Sequence, residues 1–180
     1  LGLLGTALAQ IQTPHVLLVK VDGVINPVKE RLIERAIQRA ESDESNLLII
    51  ELDTPGGLLD STRKIVESML ETNVTTVVYV SPRGAQAGSA GTFITAAANF
   101  AVMAPASNIG AATPVSGAGE DLPDTLANKA TNDAAALIRS IAQARGRNAD
   151  KLKETVREAT SFTATEAVDL NVVDFVAEDI

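Results

Sequence analysis

Leu47-Leu48-Ile49-Ile50-Glu51-Leu52-Asp53-Thr54-Pro55-Gly56-Gly57 holds the sequence's clearest structural statement. An apolar run broken by a single charge is too continuous for a strand with one wet face, and it fits a strand buried on both sides, as in a parallel sheet. The Asp-Thr-Pro-Gly-Gly segment then stops the strand. An amphipathic helix follows, with Leu58, Ile65, Val66, Met69 and Leu70 assigned to one face. Upstream, His15-Val16-Leu17-Leu18-Val19-Lys20-Val21 reads as a strand and Asp22-Gly23 as a turn. A helix starts at about Pro27, a residue suited to a first helical turn, and carries Leu32, Ile33, Ala36, Ile37 and Ala40 at helical spacing.

Downstream, residues 74–80 read as a third strand, 81–91 as a turn of small residues, 92–98 as a helix and 100–103 as a strand. Strands alternating with helices predict an α/β fold, with ligands at the strand-to-helix junctions. Gly117-Ala118-Gly119-Glu120-Asp121 is a polar loop, and residues 117–123 are expected to form a mobile lid hinged on Gly117 and Gly119. A long helix over 126–144 is expected to bury Ala130, Ala134, Leu137 and Ile141. Thr163 and Glu166 have capping-box spacing, Asn171 can close the short helix in a left-handed conformation, and Val172-Val173-Asp174-Phe175-Val176 reads as a final strand.

Composition narrows the functions. The chain has 180 residues, of which 46% are hydrophobic and only 3% aromatic, and a formal net charge of −8. An acidic chain without clustered Lys and Arg is a poor phosphate binder, so no nucleic-acid partner is expected. The absence of cysteine rules out disulfides and a thiol nucleophile, and a single histidine, His15, rules out a multi-histidine metal site. Neither metal nor cofactor is expected. The apolar segment Leu1-Gly2-Leu3-Leu4-Gly5-Thr6-Ala7-Leu8-Ala9-Gln10 ends in a small-x-small pattern and reads as the tail of an export signal, with an apolar strand as the alternative. Residues 1–13 are therefore expected to be a signal remnant or extension, and residues 14–180 the folded domain, working outside the cytoplasm. No later run is long and apolar enough to span a membrane.

Two junctions carry candidate chemistry. At Pro55-Gly56-Gly57, glycine amides can point outward from a helix N-terminus, where positive partial charge gathers, and so can hold an oxyanion; a tight loop needing positive φ is the structural alternative. Gly88-Ser89-Ala90-Gly91 presents a hydroxyl between small residues, which suits a nucleophile and equally a helix N-cap. It is not the Gly-x-Ser-x-Gly elbow, because Ala87 stands at the first glycine and no histidine follows. A nucleophilic serine needs a base. His15 reads more simply as a strand-end residue, so lysine is the other option, provided that the neutral amine is accessible. Among Lys20, Lys29, Lys64, Lys129, Lys151 and Lys153, Lys129 stands on the flank of the long helix's apolar stripe, but periodicity alone does not select it.

These motifs resemble a known family: the N-terminal protease domain of the long NfeD-type membrane proteases, relatives of caseinolytic protease and of signal peptide peptidase A. The resemblance runs over residues 19–177 and rests on Val21-Asp22-Gly23-Val24-Ile25, Leu52-Asp53-Thr54-Pro55-Gly56-Gly57, Gly84-Ala85-Gln86-Ala87-Gly88-Ser89-Ala90-Gly91, Met103-Ala104-Pro105, Ile109-Gly110-Ala111, Ala144-Arg145-Gly146-Arg147-Asn148 and residues 163–177. It implies the caseinolytic-protease/crotonase-like fold, a mostly parallel sheet with repeated ββα units and flanking helices. It further implies a Ser/Lys dyad with Ser89 as nucleophile and Lys129 as base, the amides of Gly57 and Ala90 as oxyanion donors, and Gly56 and Gly88 beside the substrate backbone. Stomatin- or prohibitin-type membrane proteins, cut in apolar segments, are the implied substrates. Membrane association through C-terminal helices beyond this chain and a homo-oligomeric state follow from the same likeness. Two other readings stay open: a crotonase-like acyl-CoA hydratase or isomerase, and an inactive scaffold presenting a groove.

Overall fold

The computed structural model describes residues 15–45, 47–115 and 123–180. Residues 1–13 and nearly all of the expected lid lie outside them.

A five-stranded sheet is the frame. Its strands are β1 (Val16–Asp22), β2 (Leu47–Asp53), β3 (Thr75–Val80), β5 (Phe100–Met103) and β8 (Phe175–Val176), in that spatial order. Every neighbouring pair is parallel, with Asp22 opposite Asp53 and Leu52 opposite Val80. The opening stretch is an interior strand, paired on both edges with β1 and β3, and both of its faces are covered as expected. Leu48, Ile50 and Leu52 enter the main core, while Ile49 joins a smaller cluster with Tyr79, Val102 and Ala104. The near-continuous apolar run therefore feeds both faces.

Helices α1 (Pro27–Ser42), α2 (Leu59–Glu71), α3 (Ala90–Ala97) and α4 (Asp124–Ala144) share that main core. Asn26 caps α1 by accepting the Val28 and Lys29 amides at 2.9 and 3.1 Å, and Pro27 takes the first helical position. Three stripes differ from the sequence reading. Leu32 of α1 is exposed, and so are Leu58 and Leu70, because Leu58 precedes α2 and Leu70 lies on its outer side. On α4 the buried set is Ala134, Ala135, Ile138, Ile141 and Ala142, with Leu137 partly buried against the core and Ala130 outside it.

A second sheet was not anticipated. It joins β4 (Gln86–Gly88), β6 (Asn108–Gly110) and β7 (Ser161–Thr163), with β4 parallel and β7 antiparallel to β6. Strands of three residues carry no readable period, and β4 lies within the stretch whose small residues read as a turn. Helix α5 (Ala149–Arg157), capped by Asn148, also went unread. The Thr163/Glu166 capping box does open α6 (Ala164–Asp169), and Asn171 follows it with φ 56°. The final strand is shorter than expected. Val172 and Val173 are buried in a turn, which leaves only Phe175 and Val176 in the sheet.

Candidate active site

Ser89 occupies the junction where β4 ends and α3 begins. It is the N-cap residue of α3, yet its hydroxyl makes no capping hydrogen bond. The backbone there has φ 46° and ψ −107°, a conformation that a residue bearing a Cβ adopts only under tertiary constraint, at a cost of about 1–3 kcal/mol. The constraint is visible: the Ser89 N–H donates to Gly110 O at 2.9 Å, and Ser89 O accepts the Thr92 N–H at 3.0 Å. A serine serving only as a cap would need neither this strain nor an idle hydroxyl.

The Asp53–Gly57 turn packs directly on this junction. Thr54, fully buried, donates its N–H to Gln86 O and accepts the Gly88 N–H, which ties the end of β2 to β4. Its Oγ1 also accepts the Gly56 N–H at 3.1 Å. Gly56, at φ 133°, has no room for a side chain, since a Cβ there would lie 2.8 Å from Ser89 Cβ and 3.3 Å from Ser89 Oγ. A Cβ on Gly88 would lie 2.9 Å from Pro55 O, and one on Gly57 2.1 Å from Ile25 O. The two turns thus meet glycine to serine.

The hydrogen bonds show which amides remain available. Gly56, Gly88 and Ser89 have their N–H groups engaged as above, and the Leu58 N–H donates to Ile25 O at 2.9 Å. Among the described residues, the N–H groups of Gly57 and Ala90 have no acceptor. Ala90 is the first residue of α3, where amides are orphaned by helix geometry and positive partial charge gathers. Two unspent donors, one on the residue after Ser89 and one in the turn packed on this junction, are of the kind that stabilises the oxyanion formed when a serine hydroxyl attacks a carbonyl carbon.

The structure brings Gly56, Gly57, Gly88, Ser89 and Ala90 together. Lys129 stands apart from them. It is exposed on the second turn of α4 and lines an open groove with Leu59, Thr125, Leu126 and Asp133. An Arg63–Asp133 ion pair holds this part of α4 against α2, whose first residue, Leu59, follows Gly57 by two positions. No hydrogen bond joins Lys129 to Ser89 among the described residues. His15 lies at the opposite, N-terminal end of β1, beside Ser45. Sequence reasoning missed Thr54, Ile25 and Gly110 as organisers of the site; their signal was only their membership in the quoted motifs, because their roles arise from contacts distant in sequence.

A parallel sheet with a small second sheet, and a serine on a strained strand-to-helix junction, define the ClpP-like fold. ClpP1 of Listeria monocytogenes superposes with a TM-score of 0.71 over 91% of this chain and 92% of its own, and at 20% identity that likeness speaks for the fold alone. Residues 15–177 match the family described as NfeD1b, N-terminal domain, and the chain belongs to it. The membrane-bound protease PH1510 of Pyrococcus horikoshii is 37% identical over 166 residues, which are 92% of this chain and 38% of that protein. The chain therefore spans well under half the length of this relative.

Among solved structures, the membrane-bound stomatin-specific protease 1510-N aligns with a TM-score of 0.87 at 35% identity, over 94% of this chain and 78% of that one. That structure carries a lysine-to-alanine change and a bound substrate peptide. A serine-to-alanine variant of the same protease aligns with the same TM-score of 0.87. In this chain, no helix among the described residues is long and apolar enough to cross a membrane.

Proposed function

We propose that this chain is a serine endopeptidase in which Ser89 is the nucleophile, Lys129 the general base, and the Gly57 and Ala90 amides the oxyanion donors. The observation that carries the reading is the strained, uncapped Ser89 with the Asp53–Gly57 turn packed on it, where the Gly57 and Ala90 amides have no acceptor among the described residues. The relative adds weight: the protease 1510-N has been solved with a serine and with a lysine replaced, the latter holding a substrate peptide.

An extended peptide lies with its backbone along Gly56 and Gly88, where absent side chains leave room. Neutral Lys129 takes the Ser89 proton as Oγ bonds to the peptide carbonyl carbon, and the oxyanion is held by the two amides. As the carbon–nitrogen bond breaks, the lysine ammonium gives its proton to the leaving amine. Water then attacks the acyl-serine, passes its proton to Lys129, and Ser89 regains a proton as the acid product departs. A lysine base depends on its neutral form, which desolvation favours. Lys129 is exposed in the free chain, so the substrate itself supplies the cover: an apolar segment laid in the groove beside Leu59 and Leu126 removes water from the amine. This favours apolar segments of stomatin-like membrane proteins as substrates, cut by a membrane-associated, extracytoplasmic domain.

The test is cleavage of an apolar peptide by the purified protein. Ser89→Ala is expected to lower kcat by at least about 10⁴-fold. Unchanged cleavage by Ser89→Ala would overturn the reading, and turnover of an enoyl-CoA thioester would favour the hydratase.

A further inference from the structure

Arg145-Gly146-Arg147 closes α4, and the peptidase chemistry makes no use of it. Gly146 turns the chain with φ 68°, and the arginines on either side of it reach the same target, the C-terminal end of α3. Arg145 Nε donates to Ala97 O at 2.7 Å, while Arg147 Nε and Nη2 donate to Ala96 O and Ala98 O, each at 3.1 Å. Arg145 Nη2 also donates to Met69 O, near the end of α2, at 2.9 Å. Arg147 is only 2% exposed at its side chain and pairs with Asp174 at 2.9 Å; the same Asp174 oxygen accepts the Ala101 N–H at 2.6 Å.

Such a cluster is costly. Burial first, and then the neighbouring Arg147 charge, push the Arg145 guanidinium below its ordinary value. The negative end of α3 compensates, since cations at a helix C-terminus are favoured. A glycine could have ended α3 without burying one guanidinium and half-burying another. What the arginines add is a fixed joint: α3 and α4, which pack together, are fastened end to end by side-chain forks with defined geometry.

The joint lies far from the chemistry along both helices. Ser89 begins α3, about 12 Å from its clamped end, and Lys129 lies about 24 Å along α4 from Arg145, at 1.5 Å per residue. We propose that Arg145 and Arg147 are positioning residues: by fixing the angle between α3 and α4 at one end, they set where Lys129 stands relative to Ser89 at the other. A rotation of only about 5° at the joint moves helix ends at these distances by about 1–2 Å, and about 1 Å of misplacement can cost about 10²-fold in rate. The proposal rests on the Ser89/Lys129 reading.

The experiment compares Arg147→Lys and the milder Arg145→Lys, each alone and combined with Lys129→Ala. kcat and KM are measured on an activated ester, so that residual rates stay readable, at a temperature where circular dichroism shows every variant folded. Loss of the forked bonds is expected to lower kcat about 10–100-fold with KM unchanged. In the Lys129→Ala background the same changes are expected to cost less than about twofold, because no base is left to align. Wild-type kcat in both arginine variants overturns the proposal, as does the same full loss in the Lys129→Ala background, which marks a purely structural role. A separate outcome, wild-type rate in Lys129→Ala alone, refutes the dyad and the alignment with it.

Discussion

Ser89 is held in a backbone conformation that favours glycine, and it gains nothing structural in return, because its hydroxyl caps no amide. Replacing it with glycine removes that strain at the expense of a more flexible unfolded chain. Ser89→Gly is therefore expected to abolish cleavage while raising stability by about 1 kcal/mol, read from the urea midpoint. Destabilisation by Ser89→Gly would show that the hydroxyl or the Cβ is structural. Gly56 tests the same contact from the other side: its φ of 133° and the 2.8 Å approach of a Cβ to Ser89 Cβ leave alanine no place. Gly56→Ala is expected to lower kcat at least about 10²-fold by displacing Ser89, and unimpaired turnover would contradict the geometry. The sequence showed small residues at both turns. It could not show the strain, since a positive φ at serine is imposed by Gly110, a partner 21 residues away (110 − 89).

At the scale of elements, those with a long period were legible and those without one were not. Strand β2 and helices α1, α2 and α4 all stand where their patterns placed them, whereas β4, β6 and β7 have three residues each and owe their existence to pairing. Their absence from the sequence reading mattered, because β4 is what presents Ser89. The stripe on α4 departs from the pattern at Ala130, because alanine marks a helix face weakly. Packing between α1 and α2 carries a pH signature. Glu30 is buried, and hydrogen bonds from Ser61 and then Lys64 hold its carboxyl below the ordinary 4.5. Its contribution is thus complete above that value and is lost as pH falls through the depressed one. Glu30→Gln is expected to show a shallower loss of stability than wild type on acidification below about pH 4.5, followed by urea unfolding; parallel curves would refute this.

Across the whole molecule, the two halves of the proposed dyad arrive by different routes. Ser89 comes from the meeting of two turns at the edge of two sheets, and Lys129 from an exposed turn of α4 that lines a groove. The first half is built by hydrogen bonds within the chain. On the proposed reading the second is completed when an apolar segment covers the amine, which would couple catalysis to the hydrophobicity of what is bound. Periodicity could not single out Lys129, and the fold explains why: among the described residues it is exposed. The central claim is that Ser89 is activated by Lys129, and the most direct measurement is the pH dependence of kcat/KM for an apolar peptide, from about pH 6 to about pH 10, in wild type and Lys129→Ala. The expected result is a rate that climbs with pH in wild type and a loss of about 10⁴-fold or more in Lys129→Ala. A flat wild-type profile, or an undiminished rate in Lys129→Ala, would contradict the account.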